Sequence, residues 1–450
     1  MLRKLESITR MKTKIDFGLP KATWPAPKLY GVGNFTEFGL YQVALTIAKI
    51  NGFINQEVLM SEIPQRIKGL VVVDSISSTS YQYLIRELLH FQFIAKQYNA
   101  SEKTEKYIIT SYGTSYLSLC STNSEAALDF LLEKMQDVFI TPAWFVKRLW
   151  ELNRIGQGQI VIPLPLKEWH PKSRIWTENN WDQEIETVSR ETANLIQKKI
   201  PGAFPYDIEE WVEAIKNEYV RLGCQKPKGN KTDMNDEDVH FSVRNRLSLA
   251  MKTVAVRKFF SRLNPQTDCL EFPNKRSDMT HRSFMVWCPR LAAFNMIFYT
   301  DNNPDIPGRL LFPVSAFKHF NQNSSYIKKS FIVDPDGACL YIHSPKWEEF
   351  KKLFIETLVE VYQKYYNKQT IIYISLQDIR DEVCRLLRIN PHTFELFLQK
   401  TYELSILHKI RYSISLETDL RLDMKIQINR RGVYLNGILY SLIALKPLEK

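Results

Sequence analysis

The stretch from residue 76 to residue 117 constrains the fold more than any other part of this 450-residue chain. Its first half places apolar side chains, among them Tyr81, Leu84 and Leu88, three to four residues apart, a spacing typical of an amphipathic helix. Its second half has two short apolar segments on either side of a polar run, which predicts a β-hairpin with a charged tip. The chain is therefore expected to form a helix here that leads directly into a hairpin.

The end of the same stretch carries the motif Ile109-Thr110-Ser-Tyr-Gly113-Thr-Ser-Tyr-Leu117. This motif resembles the Leu-Thr-x-x-Gly-x-x-x-Leu pattern that closes the last strand in the winged helix-turn-helix superfamily. The resemblance covers residues 31–121, where helices are also expected over 34–51 and 55–66. It implies three helices and a wing, with a third helix that can enter the major groove of duplex DNA. Because the superfamily is very large, the resemblance bears more on fold than on function.

The predicted third helix turns polar side chains away from its apolar face. These side chains could donate hydrogen bonds to base edges or phosphates. A solvated face on a helix that binds protein is the alternative. Two lysines in the predicted wing, Lys103 and Lys106, would add contacts to phosphates. The candidate DNA-binding residues of the helix are Ser78, Thr79, Gln82, Tyr83 and Arg86.

The formal net charge of +11 is unevenly spread, and most of the positive excess lies in one stretch, 241–330, of the central region, an expected α/β region with appended helices over 122–343. Residues 178–240 carry 14 acidic and eight basic side chains, whereas 241–330 carry 14 basic and five acidic ones. The second half is also rich in aromatic residues, and a basic segment favours an acidic partner such as nucleic acid. Pairing with the preceding acidic segment is the alternative.

A long basic helix is predicted over 241–263, followed by an extended segment over 283–288 and a hairpin over 330–343. At 100° per residue, four basic side chains of this helix fall on one side and form a stripe that could follow a DNA backbone. The stripe consists of Arg244, Lys252, Lys258 and Arg262.

Residues 344–450 are expected to form a second, winged-helix-like domain. Ser375 and Asn390 are candidate N-caps of its second and third helices, as Asp207 is for a helix expected over 207–222 in the central region. Two strands over 410–416 and 424–428 would form the hairpin of the domain. Gly432 lies in a segment that echoes the motif around Gly113. The third helix would expose acidic side chains that repel phosphate, so this domain is expected to bind protein. Its exposed residues would be His392, Glu395, Gln399, Lys400 and Glu403.

The compartment and the membrane relationship follow from simple patterns. Residues 1–30 are interpreted as an N-terminal arm without a signal peptide. No apolar run approaches the ~20 residues needed to span a bilayer. The six cysteines are scattered without a Cys-x-x-Cys pair, which favours reduced thiols in the cytoplasm and argues against a zinc ribbon.

Catalytic patterns are weak throughout the sequence. There is no phosphate-binding Gly-x-x-x-x-Gly-Lys-Ser/Thr loop and no Gly-x-Ser-x-Gly motif. The acidic cluster from Asp233 to Asp238 fits a solvated loop that caps the next helix better than a calcium site. Pro335-Asp336 and Glu349-Phe-Lys351 only superficially match a metal-dependent nuclease, because the second motif falls in a predicted helix.

The sequence therefore predicts a helix-rich α+β protein with two winged helix-turn-helix domains flanking a central α/β region. The leading hypothesis is a non-enzymatic subunit of a DNA-transacting complex, in antiviral defence, restriction, replication or chromosome organisation, that needs no cofactor or metal. Its expected partners are double-stranded DNA and proteins that dock on the C-terminal domain, with no membrane. A protein-assembly scaffold is one alternative, and a nuclease with a site within 156–343 is another.

Overall fold

The structure is a computed structural model that describes the placement of many segments of the chain. These are 29–31, 37–67, 71–73, 78–99, 104–138, 145–146, 148–149, 160–166, 169, 178–202, 207–222, 236–260, 281–300, 306–314, 316–319, 331–333, 339–342, 346–369, 371–419, 432–435 and 438–448. Within them the protein is a helix-rich α+β molecule with small antiparallel sheets.

The N-terminal unit, residues 37–122, contains three helices, a hairpin and a closing helix. Its apolar side chains at helical spacing, such as Leu45, Leu84 and Leu88, are fully buried and form a common core. The helices are α1 (Glu37–Asn51), α2 (Gln56–Arg66), α3 (Ser78–His90) and α4 (Ser111–Thr122). The hairpin strands are β3 (Ile94–Asn99) and β4 (Thr104–Ile109).

The hairpin of this unit is tied to the segment between α1 and α2. Strands β3 and β4 pair in register from Ile94 opposite Ile109. Ile54 forms an isolated bridge with Tyr107, with the two backbone N–H groups donating at 2.7 and 2.9 Å. The order in space is therefore Ile54, β4, β3, with α3 immediately before β3 along the chain.

One strand of a two-stranded ribbon lies between α2 and α3 in the chain. Strand β1 (Leu29–Gly31) pairs antiparallel with β2 (Val71–Val73). The end of the predicted N-terminal arm is thus paired to the segment that precedes α3. The predicted second helix over 55–66 is confirmed and continues through Pro64.

The central region joins long helices to one three-stranded antiparallel sheet. Strands β5 and β6 flank β7 in that sheet, and α8 packs on both α7 and β5. A second sheet has the order β8-β10-β9 and contains the hairpin predicted over 330–343. The helices are α5 (Ser124–Val138), α6 (Glu178–Lys199), α7 (Ile208–Arg221), α8 (Asp236–Phe259) and α9 (His281–Ala293). The strands are β5 (Ile160–Pro163), β6 (Ile297–Thr300), β7 (Gly308–Pro313), β8 (Ala316–His319), β9 (Phe331–Val333) and β10 (Cys339–Ile342).

The C-terminal unit, residues 347–447, shares with the N-terminal unit an order of three helices followed by antiparallel strands. It has no described counterpart of β2 or α4, and it contains two additional short strands. Its sheet has the order β11-β15-β12, so the strand after the first helix pairs with the last strand, as Ile54 does with β4. The helices are α10 (Trp347–Gln369), α11 (Leu376–Leu387) and α12 (Pro391–Ile406). The strands are β11 (Ile374–Ser375), β12 (Tyr412–Glu417), β13 (Val433–Leu435), β14 (Ile438–Tyr440) and β15 (Leu442–Pro447).

Three predicted helix starts are confirmed by their capping hydrogen bonds. The side chain of Asp207 accepts from the Glu210 N–H at 2.9 Å, that of Ser375 from Asp378 at 3.4 Å and that of Asn390 from Thr393 at 2.7 Å. Each cap satisfies an N–H group that has no partner within its own helix.

The interpretation of Gly113 as the close of a strand is wrong. Strand β4 ends at Ile109, and the Thr110 side chain accepts from the Gly113 N–H at 3.2 Å, so Thr110 is the N-cap of helix α4. A Cβ atom at Gly113 would overlap the carbonyl oxygen of Phe93, which explains glycine there. Gly432 precedes strand β13, so the echo between the two segments is not a structural repeat.

The extended segment predicted over 283–288 is also wrong, because these residues lie in helix α9. Phe284, Trp287, Cys288 and Leu291 are all buried, and their spacing of three to four residues places them on one side of a helix. Their strong β propensity is outweighed by that packing.

Two further boundaries differ from the sequence prediction. Helix α8 starts at Asp236, five residues before the predicted start, and ends at Phe259. In the C-terminal unit β12 pairs with β15 at the end of the chain. The predicted partner strand over 424–428 lies outside the described residues, and none of the described helices is long and apolar enough to cross a membrane.

Candidate nucleic-acid interface

Helix α3 has one buried face and one polar face. Its buried side chains pack on α2 and β3, and the first turn lies close to α2, where the Gln56 amide donates to the Ser78 carbonyl at 3.4 Å. Ser78, Thr79, Gln82 and Arg86 are exposed, and Tyr83 is half-buried. We call these five residues the α3 outer face; together they offer hydroxyl, amide and guanidinium groups.

A buried ion pair connects the inner face of α3 to the central region. The Glu87 carboxylate accepts from the Tyr41 hydroxyl at 2.5 Å and from the Arg290 guanidinium at 2.8 Å. The side chains of Glu87 and Arg290 are each 2% exposed. Since Arg290 belongs to α9, the helix that presents the outer face is fixed to the central region by an ion pair that water does not screen.

His90, the last residue of α3, lies in surroundings that favour its uncharged form. Burial and the positive charge of Arg86 lower the pKa of His90, although Glu87 acts in the opposite direction. Arg86 therefore supplies the positive charge on this face at neutral pH.

The hairpin presents both signs of charge beside α3. Lys96 pairs with Glu105 across the two strands, and Tyr98 is 61% exposed. The ammonium group of Lys106 lies 4.6 Å from the centre of the Phe53 ring, a cation–π contact on a half-buried side chain. Lys103, the other predicted wing contact, lies outside the described residues.

The basic side chains of α8 make contacts within the protein. Arg244 is half-buried and donates to the carbonyl of Leu166 at 2.8 Å and to that of Trp169. Burial also lowers the pKa of its guanidinium. Lys258 pairs with Glu210 of α7, and its side chain is 19% exposed.

The two remaining stripe residues are Lys252 and Arg262. Lys252 is half-buried, and Arg262 lies outside the described residues. Two neighbours on α8 also contact other elements: Arg246 donates to the Tyr219 carbonyl, and the exposed Arg257 is 3.5 Å from the Glu218 carboxylate. At Arg257 and Lys258 the basic half of the central region therefore pairs with carboxylates of the acidic half, which is the alternative that the sequence left open.

The corresponding helix of the C-terminal unit, α12, has a different outer face. Leu396 is 47% exposed and Leu407 is 59% exposed. Lys400 and Glu403 are exposed between them. Apolar side chains are thus exposed beside charged ones at α12, and this face suits a protein surface better than a phosphate backbone.

No metal site is formed by the residues that the structure describes: no three His, Cys, Asp or Glu side chains are grouped closely enough there to hold an ion. Most of the acidic cluster of 233–238 and the Pro335-Asp336 pair lack a described side chain. Comparison of the chain with protein-family models, with curated proteins and with solved structures finds no match.

Sequence reasoning missed the residues that position the candidate interface. Glu87 was placed on the predicted third helix without a role, and Arg290 is 203 positions away from it. Neither a spacing nor a motif links two such residues, so the ion pair emerges only from the tertiary structure.

Proposed function

We propose that the protein binds duplex DNA through the N-terminal unit, with α3 in the major groove and the β3–β4 hairpin as a wing. The observation that carries this proposal is the α3 outer face, because an exposed row of hydroxyl, amide and guanidinium groups on the third helix matches the groups that read base edges and phosphates. The Glu87–Arg290 ion pair supports it by giving α3 a fixed position.

Both units are proposed to be winged helices. In each, three helices precede a hairpin, and the segment after the first helix pairs with the last strand. Strand β2, which lies between α2 and α3 and pairs with β1, makes this connection longer than that of a short helix-turn-helix, so a longer segment sets the approach of α3 to DNA here.

The role of α8 is proposed to be structural. Since Arg244 and Lys258 are engaged within the central region, the positive charge of α8 contributes to the long-range field more than to direct phosphate contacts.

A second function, protein docking, is proposed for the C-terminal unit. It is favoured by the exposed leucines of α12. A protein with one DNA-binding and one protein-binding unit fits an accessory subunit of a DNA-transacting complex, whether in defence, restriction, replication or chromosome organisation.

The test is the salt dependence of binding to a random-sequence duplex, measured by fluorescence anisotropy. The wild type is expected to bind with a steep salt slope, and Arg86→Gln is expected to reduce that slope by about 1, the value for one lost phosphate contact. Arg411→Gln, which removes an exposed arginine from the C-terminal unit, is the matched control and should leave the slope unchanged. Equal slopes for all three proteins would refute the proposal.

A further inference from the structure

The exposed face of α12 has an internal symmetry. Leu396, Lys400, Glu403 and Leu407, which we call the α12 stripe, are spaced four, three and four residues apart. At 100° per residue they fall within about 60° of one another. This is the seam spacing of helices that pack along one another, and here the seam faces solvent.

The order of the side chains in the stripe is self-complementary. Its midpoint lies between Lys400 and Glu403, with a leucine at an equal distance on each side. A second α12 helix that runs antiparallel along the seam would place Leu396 against the partner's Leu407. It would also place Lys400 against the partner's Glu403 and, by symmetry, Glu403 against the partner's Lys400.

Local contacts keep the two charged residues on this side of the helix. The Gln399 amide donates to the Glu403 carboxylate at 3.2 Å. The Lys400 ammonium lies 5.9 Å from the centre of the Trp347 ring, and its side chain remains exposed. Leu407 is the C-cap of α12 and donates its N–H to the Glu403 carbonyl, which keeps it in line with the stripe.

We propose that the α12 stripe is the interface of a homodimer with two-fold symmetry, so that the occupant of this face is a second copy of the chain. The apolar ends would be buried and two ion pairs would form at the centre. The same arrangement in parallel orientation would place Lys400 against Lys400 and Glu403 against Glu403, so charge selects the antiparallel form. Ile406, 59% exposed, lies beside the stripe and widens the apolar contact.

The proposal identifies the partner of the docking surface and does not depend on DNA binding by α3. The experiment is sedimentation velocity of the full chain without DNA, at a series of protein concentrations. Lys400→Glu places a carboxylate against Glu403 of the second copy. Glu403→Lys places an ammonium group against Lys400 of the second copy, so each variant brings like charges together. Each single variant is expected to raise the dimer dissociation constant at least tenfold.

Mixing the two single variants gives the sharpest result. A chain with Lys400→Glu carries two acidic residues at the centre, and a chain with Glu403→Lys carries two basic ones. The mixture is therefore expected to form a heterodimer although neither variant dimerises alone, and the double swap Lys400→Glu/Glu403→Lys is expected to dimerise like the wild type. Lys352→Glu, at a position 88% exposed on α10, is the matched control and should not change dimerisation.

The outcomes decide the proposal in either direction. A wild-type chain that stays monomeric throughout the series overturns it. A wild-type dimer that persists in both single variants, or a mixture that fails to form the heterodimer, also overturns it, because the contact would then lie elsewhere. Far-ultraviolet circular dichroism confirms that each variant is folded.

Discussion

The N-terminal and C-terminal units share an order of elements and differ in what their third helices show to solvent. Helix α3 exposes Ser78, Thr79, Gln82 and Arg86, whereas α12 exposes leucines around one lysine and one glutamate. The buried positions of both units are mainly apolar, so most of the packing that forms the fold comes from the inner faces. The outer face of each helix makes no contribution to the core and can therefore vary with the binding partner. Two units with a similar order of helices can for this reason support different binding functions.

The two units also differ in what lies beneath the third helix. In α3 the buried Glu87 is paired with Arg290 and Tyr41. In α12 the half-buried Glu395 has a pKa raised to about 7, chiefly by burial, with Arg380 acting in the opposite direction. Helix α3 is thus fixed by a carboxylate with a buried cationic partner, whereas α12 carries a carboxyl group whose neutral form is favoured by burial.

The largest effect is expected from breaking the anchor of α3. Arg290→Leu leaves the Glu87 carboxylate buried without its cation, so the N-terminal unit should lose about 3–5 kcal/mol of local stability. Hydrogen exchange of the amides of α1 and α3 measures that loss. In the double variant Glu87→Gln/Arg290→Leu no charge stays buried, and most of the stability should return. A single variant as stable as the wild type would show that the ion pair is not an anchor.

A smaller effect is expected at the two glycines that looked alike in sequence. Gly113→Ala forces a Cβ atom into the carbonyl oxygen of Phe93 and should cost about 1–3 kcal/mol, seen as a lower thermal midpoint. At Gly432 the nearest atom to a new Cβ is Cδ1 of Leu439, a side chain that can rotate, at 2.5 Å. The nearest backbone atom is the Tyr440 carbonyl oxygen, which at 2.9 Å is farther than the Phe93 oxygen is from Gly113. Gly432→Ala should therefore cost less, and the opposite ranking would contradict the distinction between the two sites.

The effect of pH should appear in the C-terminal unit. The folded pKa of Glu395, about 7, exceeds the unfolded value of 4.5, so its contribution to stability is present below pH 4.5 and is lost as pH rises toward 7. Glu395→Gln should raise stability above pH 7 by on the order of 1–2 kcal/mol and leave it unchanged below pH 4.5. Urea unfolding at pH 4 and pH 8 measures this difference.

A neighbouring carboxyl supplies the control of opposite sign. Arg385 and Lys364 lower the pKa of Glu382 to about 2 despite burial, so its contribution is present above pH 4.5 and is lost as pH falls toward 2. Glu382→Gln should therefore destabilise the protein at pH 8. If the unfolding free energies of Glu395→Gln and Glu382→Gln changed with pH in the same way, the environments of the two carboxyl groups would not differ as described.

The sequence was sufficient where a local pattern determines the structure. The α3 helix and its hairpin follow from spacing, and the caps Asp207, Ser375 and Asn390 follow from residue type and position. The sequence was insufficient where contacts between residues far apart in the chain determine the secondary structure. Residues 283–288 are helical because the core receives one side of a helix, although their composition favours a strand.

The candidate site shows the same division. Periodicity separates the α3 outer face from its buried face, because both lie on one helix. Whether Arg244 and Lys258 remain open to DNA depends on carbonyls and carboxylates from other elements, which no local pattern records.

We propose that α3 and α12, in units with a similar order of helices, bind different partners. The most direct test compares Arg86→Glu with Lys400→Glu in the same anisotropy titration against a random duplex near physiological salt. Dimerisation would pair two N-terminal units, so each protein is tested well below the concentration at which the wild type dimerises. We expect Arg86→Glu to weaken binding at least tenfold, about 1.4 kcal/mol, and Lys400→Glu to match the wild type. If the two variants lose equal affinity, or if the wild type does not bind, the difference between the two helices is not a difference of partner and the account is wrong.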